Sequence, residues 1–266
     1  MKVAVITPYA GESPVILQKC IQSVGHQQGV EITHFLVSDG VPIPAGYGAD
    51  VVPILLDIRA NDGGATPRTI GCQAALSRGV DAIAFLDADN EYYPEHLATC
   101  LSLNVPIATS LRELCKDGEP FAVDRIDSDG TVFADPNTIV LRGTALDFGR
   151  MWNWRDRDSP FQASTGRDRV FWERLKRSFP KAAHANTGLA TVRYNTRWIC
   201  HYNHVGAPAP PGRVCTMAQR KDGVMVKLWG KPRKEHPTNG GAGDREFWQI
   251  HVDLMDDDPL GFRPAQ

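Results

Sequence analysis

The sequence predicts an α/β fold with a mostly parallel sheet flanked by helices. Three observations carry this reading. Strand-like and helix-like segments alternate from the start of the chain to about residue 103. Two helix starts pair a hydroxyl residue with proline, Ser13-Pro14 and Thr66-Pro67, a capping side chain ahead of a residue suited to the first helical position. The run Ala82-Ile83-Ala84-Phe85-Leu86 is apolar throughout and stops on Asp87-Ala88-Asp89. A strand buried on both faces reads this way, and its carboxyl end is where open α/β sheets place ligands.

In chain order, Lys2 to Thr7 is a β-branched run ending at Pro8. A helix spans about Ser13 to His26, because Ile16, Leu17, Cys20, Ile21 and Val24 recur at helical spacing. Ile32 to Ser38 is the second strand, stopping at Asp39-Gly40, and Val51 to Leu56 the third, stopping at Asp57. The Thr66-Pro67 signature opens a helix to roughly Arg78, the strand ending at Asp87 follows, and Pro94 starts a helix to about Leu103. Thr7, Asp39, Asp57 and Asp87 should then face one crevice.

From about Ile107 the alternation fades. Asp127-Ser128-Asp129-Gly130 reads as a turn joining two antiparallel strands. After Ser164-Thr165-Gly166-Arg167-Asp168 a helix turns Val170, Phe171, Leu175 and Phe179 inward. Beyond Cys215 the composition shifts. Arg220, Lys221, Lys227, Lys231, Arg233 and Lys234 form a basic segment, Asn239-Gly240-Gly241-Ala242-Gly243 a joint, and Asp256-Asp257-Asp258 an acidic end. The expected division is a domain over 1–215 and an appendage over 216–266. The basic segment suits a lid or an anionic acceptor, and equally a solvated face.

With 266 residues, 42% apolar and 23% charged, the chain is long enough to bury a full core. A net charge of −2 argues against a surface devoted to nucleic acid. No stretch approaches the ~18 apolar residues of a membrane span, and the start is too soon broken by Pro8 for a secretion signal. Cys20, Cys72, Cys100, Cys115, Cys200 and Cys215 are scattered without a C-x-x-C pair, so reduced thiols in a cytoplasmic protein are expected.

The chemistry concentrates at Asp87 and Asp89. Two carboxylates at a strand end suit a hard cation, Mg²⁺ or Mn²⁺, that completes its shell with water and substrate phosphates. The same pattern also serves as a plain turn former.

Placed in order, the motifs resemble the family 2 glycosyltransferases of the GT-A fold over approximately residues 1 to 205. They are Val5-Ile6-Thr7-Pro8-Tyr9, Leu17 to Val24, Val37-Ser38-Asp39-Gly40, Asn61-Asp62-Gly63-Gly64 with Pro67-Arg68 and Gly71, Phe85 to Asp89, and Gly166 to Trp172. The resemblance implies a Rossmann-like GT-A sheet with a smaller antiparallel acceptor-side region. It implies a metal-dependent, inverting transfer from a nucleotide-diphosphate sugar, a UDP-sugar above others, to a hydroxyl acceptor such as a glycan. Thr7, Pro8, Tyr9, Asp39, Asn61, Arg68, Asp87, Ala88 and Asp89 would then line the donor side. Asp39 would accept from the base and Arg68 would sit near the diphosphate. Asp89 would hold the metal, Asp87 would assist, and His204 or His201 would add a late contact. Asp168 would be the general base, although its place at a helix start also suits a cap. Trp152, Trp154 and Arg167 would belong to the acceptor side, where tryptophan serves as a stacking face or as core. Two positions depart from the family pattern. Arg167 stands where a Glu is usual, and Ser38-Asp39 stands where two aspartates are frequent. A nucleotidyltransferase lacks support, since no glycine-rich, lysine-bearing phosphate loop follows the first strand. The alternative from another class is a nucleotide-sugar-binding module or scaffold that has lost catalysis.

Overall fold

The computed structural model describes residues 1–48, 50–125, 128–153 and 167–209, and the strand segments 214–219, 225–230, 232–234, 246–248 and 253–254. The side chains of Arg167, Cys200 and His204, and those from residue 210 on, lie outside the description. So do Asp127, Trp154, Ser164 to Gly166, the 239–243 joint and the acidic end.

β1 (Lys2–Tyr9) runs two residues further than the sequence implied. Pro8 does not stop it. Residues 6 and 8 direct their backbone toward β4 (Ala82–Phe85), whose pairing with β1 ends at Phe85, so the missing Pro8 N–H costs no ladder bond. On its other side β1 pairs with β2 (Glu31–Ser38) as far as Tyr9–Ser38. Val3 to Thr7 are wholly buried, as a strand covered on both faces requires.

α1 (Pro14–Gly25) starts as expected, with Ser13 Oγ accepting the Ile16 N–H at 3.4 Å and proline at the first position. β3 (Val51–Leu55) lies at the sheet edge. α2 (Ala65–Ser77) begins differently from the sequence expectation. Its cap is Gly64, at φ 80°, and Thr66 lies inside the first turn. The Asp62 carboxylate does the capping from outside, accepting the Thr66 N–H at 3.1 and 3.2 Å and its hydroxyl at 2.7 Å. Gly63 and Gly64, both left-handed, let the chain fold back far enough for this.

After β4, a short β5 (Glu91–Tyr92) precedes α3 (His96–Ser102). That strand pairs with β9, Pro94 and Glu95 form a turn after it, and the helix starts two residues later than proline suggested. β6 (Ile107–Lys116) and β7 (Glu119–Asp124) form a hairpin turning at Asp117 and Gly118, both at positive φ. The antiparallel turn is therefore here, and the described residues 128–130 lead instead toward β8 (Ile139–Arg142), which like β7 pairs with β6. Asp129 binds the Thr131 and Val132 N–H groups on the way. α4 (Arg167–Ser178) leads to β9 (His184–Asn195).

Among the described residues these strands form a nine-stranded sheet, ordered β3-β2-β1-β4-β8-β6-β9-β5 with β7 on β6. Its first half is parallel; β8 then runs antiparallel between β4 and β6. Alternate residues feed the two faces. Ala4, Ile6 and Phe85 meet α2, α4 and the helical turn over 143–153, burying Cys72, Trp152, Phe171, Trp172 and Leu175. Val3, Val5 and Ala84 meet α1 and α3, burying Cys20, Val24, Leu97 and Cys100. Gly71 is required here: a Cβ would lie 2.4 Å from Ile6 Cγ2.

The chain divides into two compact units, Met1–Trp154 with Phe171–Asn195, and Arg155–Val170 with Thr196–Gln266. The compositional boundary after residue 215 falls inside the second. That unit holds α5 (Ile199–His204), an antiparallel sheet of β10 (Val214–Gln219), β11 (Met225–Gly230) and β14 (Asp253–Leu254), and the pair β12 (Pro232–Lys234) and β13 (Glu246–Trp248). Among the described residues, no helix is long and apolar enough to cross a membrane. Cys20, Cys72, Cys100 and Cys115 are buried free thiols.

Candidate functional site

The first unit assembles its polar residues at the carboxyl end of β4. Asp87, two residues past the strand, is held on several sides. Arg68, from the first turn of α2, donates to its Oδ1, and Asn137 donates from Nδ2 to its Oδ2 at 3.1 Å. The Asp87 N–H donates to Asn137 Oδ1 at 2.6 Å, and its carbonyl accepts from the Cys20 thiol at 3.7 Å. Burial pushes that thiol's pKa up, so it stays protonated and donates.

Arg68 is nearly enclosed, with a side chain 6% exposed against 31% for Asp87. Its other terminal nitrogen donates to the Gly63 carbonyl at 2.9 Å, and its guanidinium lies over the Trp152 ring, 4.9 Å from the centroid. Trp152 stacks on Phe171 at 3.8 Å and meets Phe85 edge-on at 5.1 Å. At 3% exposure it presents no stacking face to a sugar, and its ring supports Arg68 instead.

Ala88 is buried against Tyr9 and Leu17, whereas Asp89 stands exposed. The loop after it is pinned by Asn195, which donates to the Asp89 carbonyl at 2.7 Å and whose own N–H donates to Asn90 Oδ1 at 2.8 Å. Asp39 is 4% exposed and binds the far side of the 59–64 loop, accepting the Ala60 N–H at 2.7 Å and the Asn61 N–H at 2.9 Å. Asn61 takes the left-handed φ of 50° that this loop needs. Each Asp39 oxygen keeps a second lone pair for another donor.

Thr7 is not at the strand end. It is wholly buried, with its hydroxyl 2.8 Å from His34 Nε2, and burial lowers the His34 pKa to about 3. Asp57 is exposed beyond β3. Pro8 and Tyr9 take the place nearer the end of β1, and Pro8 flanks Gly64 closely enough that a Cβ there would lie 3.0 Å from its own.

Behind Asp87 runs a buried chain that sequence reasoning missed. Asn137, wholly buried, also donates to Asp135 Oδ1 at 2.5 Å. Asp135 accepts from Arg112 Nη1 at 2.5 Å, and Arg112 donates from Nε to Asp124 at 2.9 Å. Burial pushes the Asp135 pKa up to about 6, with Arg112 and the Asn137 bonds opposing the rise. Asp135-Pro136-Asn137 is a turn signature that could have been read as a local cap. Nothing local shows that its amide reaches a carboxylate 50 residues earlier.

In the second unit, Asp168 is the second residue of α4 and so not its cap, and its carboxylate accepts the Arg169 N–H at 2.8 Å. His201 is 2% exposed, with Nδ1 2.7 Å from Thr196 Oγ1. His204 ends α5. Among the described residues, no group of three or more His, Cys, Asp or Glu side chains is arranged to hold a metal ion. An exposed Asp89 and a partly exposed Asp87 form an all-oxygen donor set, which fits a Mg²⁺- or Mn²⁺-type ion that keeps most ligands for water and phosphate.

No protein-family model matches the chain, and no curated protein matches it in sequence. Its structure is similar to that of S. aureus TarS. Residues 1–349 of TarS in complex with UDP align with a TM-score of 0.54 at 15% identity, over 74% of this chain and 61% of that one. The same TarS segment in complex with UDP-GlcNAc gives 0.51 at 16% identity, over 74% and 59%. The fold is GT-A-like. This chain spans less than two thirds of the TarS segment, and at such identity the likeness is one of fold.

Proposed function

We propose that this protein is a glycosyltransferase that moves a sugar from a nucleotide-diphosphate donor, a UDP-sugar, to a hydroxyl acceptor. The observation that carries the reading is the meeting of Arg68 and Asp87, where the start of α2 and the end of β4 converge in a GT-A-like fold. The TarS structures of similar fold contain UDP and UDP-GlcNAc, which favours a uridine nucleotide.

Each residue then has a task. The start of α2, the positive end of the helix dipole, receives the diphosphate together with Arg68. Asp39 shapes the loop carrying Ala60 and Asn61 and keeps lone pairs for the imide N–H of uracil. Asp89 and Asp87 would hold Mn²⁺ or Mg²⁺, with His204 or His201 as the further contact proposed from their motif. When bound, such an ion offsets the charge on the departing nucleotide. Asp168, on the strength of the Gly166–Trp172 motif, takes the proton of the acceptor hydroxyl as that oxygen attacks the anomeric carbon, with inversion. Trp154 and Arg167 belong to the acceptor side. The four buried free thiols support a reducing, cytoplasmic setting.

Two measurements test this. Thermal melting with UDP, GDP, CDP or ADP, each with and without Mn²⁺, should show a Mn²⁺-dependent rise with UDP. The Asp168→Asn chain should keep that rise and lose sugar transfer. A chain that melts alike with every nucleotide is not a transferase of this kind, and normal turnover by the Asp168→Asn chain would remove Asp168 from the role of base.

A further inference from the structure

We propose that Asn137 is a positioning residue for the donor site, setting the direction of the Asp87 carboxylate from behind. The inference rests on the reading of Asp87 as part of a metal–nucleotide site and deepens it.

The geometry is specific. Asn137 grips Asp87 at two points, its Oδ1 on the backbone N–H at 2.6 Å and its Nδ2 on Oδ2 at 3.1 Å. An amide is the side chain that can accept from one and donate to the other at once. These two bonds tie the backbone and the carboxylate of Asp87 to one side chain. The grip is itself anchored. Asn137 is wholly buried, its N–H bonds Asp135 Oδ1 at 3.0 Å, and Asp135 is tied to Arg112, which is 1% exposed. Arg112 is braced by Asp124 and by the Tyr194 ring, 4.1 Å from its guanidinium. The anchoring groups all come from the β6–β9 half of the sheet, and Arg68 approaches from the α2 side. Asp87 is thus where the two sides meet, and Asn137 holds it in place whether its outer oxygen faces Arg68 or a cation.

A purely structural amide would stabilise the fold without regard to what Asp87 binds. A positioning residue also controls the metal-dependent part of nucleotide affinity. The test compares UDP dissociation constants with and without Mn²⁺, by titration calorimetry, alongside the melting temperature of each chain. Asn137→Ala removes every side-chain bond. Asn137→Asp keeps the acceptor for the Asp87 N–H and turns the donor into an oxygen facing two carboxylates. Both should lower the Mn²⁺ enhancement of UDP affinity by about tenfold or more, the scale of one lost charge-assisted hydrogen bond. UDP affinity without metal should change less than about twofold.

Asn186→Ala is the control. Asn186 donates to Thr109 Oγ1 at 2.9 Å and to the Asp129 carbonyl at 3.1 Å, away from Asp87, so the loss of an amide there should lower melting and leave the enhancement intact. Folded Asn137 variants with the wild-type enhancement would overturn the proposal, as would an equal loss in Asn186→Ala. Should Asn137→Asp fail to fold, Asn137→Ala, which adds no charge, decides the matter. A wild-type chain with no Mn²⁺ enhancement would instead overturn the donor-site reading itself.

Discussion

Asp135 gives this fold a stability that depends on pH in an unusual direction. The residue is 5% exposed, and burial raises its pKa from the usual 3.8 to about 6 against the pull of Arg112. The folded chain therefore holds this proton more tightly than the unfolded chain. The stabilisation from that proton is fully present below about pH 3.8 and is lost as the pH climbs through about 6, opposite to a salt-bridged carboxylate. At about 1.36 kcal/mol per pH unit the gap amounts to about 3 kcal/mol. Asp135→Asn keeps an acceptor for Asn137 and removes the titration. Urea unfolding of both chains, followed by the fluorescence of the buried Trp152 and Trp172, gives stability at steps from about pH 3.5 to about pH 7.5. The wild-type value minus the variant value should fall by about 3 kcal/mol across that window. A flat difference, or one that rises with pH, would refute the reasoning and show that the Arg112 pairing outweighs the cost of burial.

Other substitutions test other parts of the scaffold. Gly71→Ala places a methyl 2.4 Å from Ile6 Cγ2 and 3.1 Å from Val37 Cγ2. Overpacking of about 1–3 kcal/mol should exceed the ~1 kcal/mol gained in helix propensity, so the urea midpoint drops; an unchanged midpoint contradicts the packing described. Trp152→Ala should cost about 3–5 kcal/mol in the same assay, because it empties a site stacked on Phe171 and edged by Phe85. A surface-like cost below about 1 kcal/mol would return Trp152 to the acceptor side. Arg68→Gln should weaken UDP binding about tenfold or more in calorimetry, and unchanged affinity would take Arg68 out of the diphosphate site.

The parallel half of the fold was legible because its signals are local. Apolar runs bounded by Asp39-Gly40 and Asp57, and Ser13-Pro14 ahead of a periodic apolar face, report strand and helix without knowledge of what packs where. Several differences share one cause, a partner distant in sequence, and the start of α2 has a local one. Pro8 stays in β1 because β4 ends before reaching it, and Pro94 lies in the turn between α3 and β5, whose place is set by its pairing with β9. Thr66 yields its capping role to Asp62, which two left-handed glycines bring within reach. At the site, Asp87 stood out as a charge at a strand end, and Arg68 only through the family resemblance. Asn137, Asp135 and Arg112 did not, since a buried polar residue leaves no periodic trace when its partners lie on other strands. Trp152 read either as a sugar platform or as core for the same reason, because its aromatic partners Phe85 and Phe171 lie far from it in the chain.

On the proposed function, the end of β4 is a metal-assisted nucleotide-sugar site. Titration calorimetry of UDP into the wild-type and Asp89→Asn chains, with and without Mn²⁺, tests it most directly. Mn²⁺ should enhance binding to the wild type, and that enhancement should be lost in Asp89→Asn, with both chains melting alike. Equal binding by the two chains, or none by either, would contradict it.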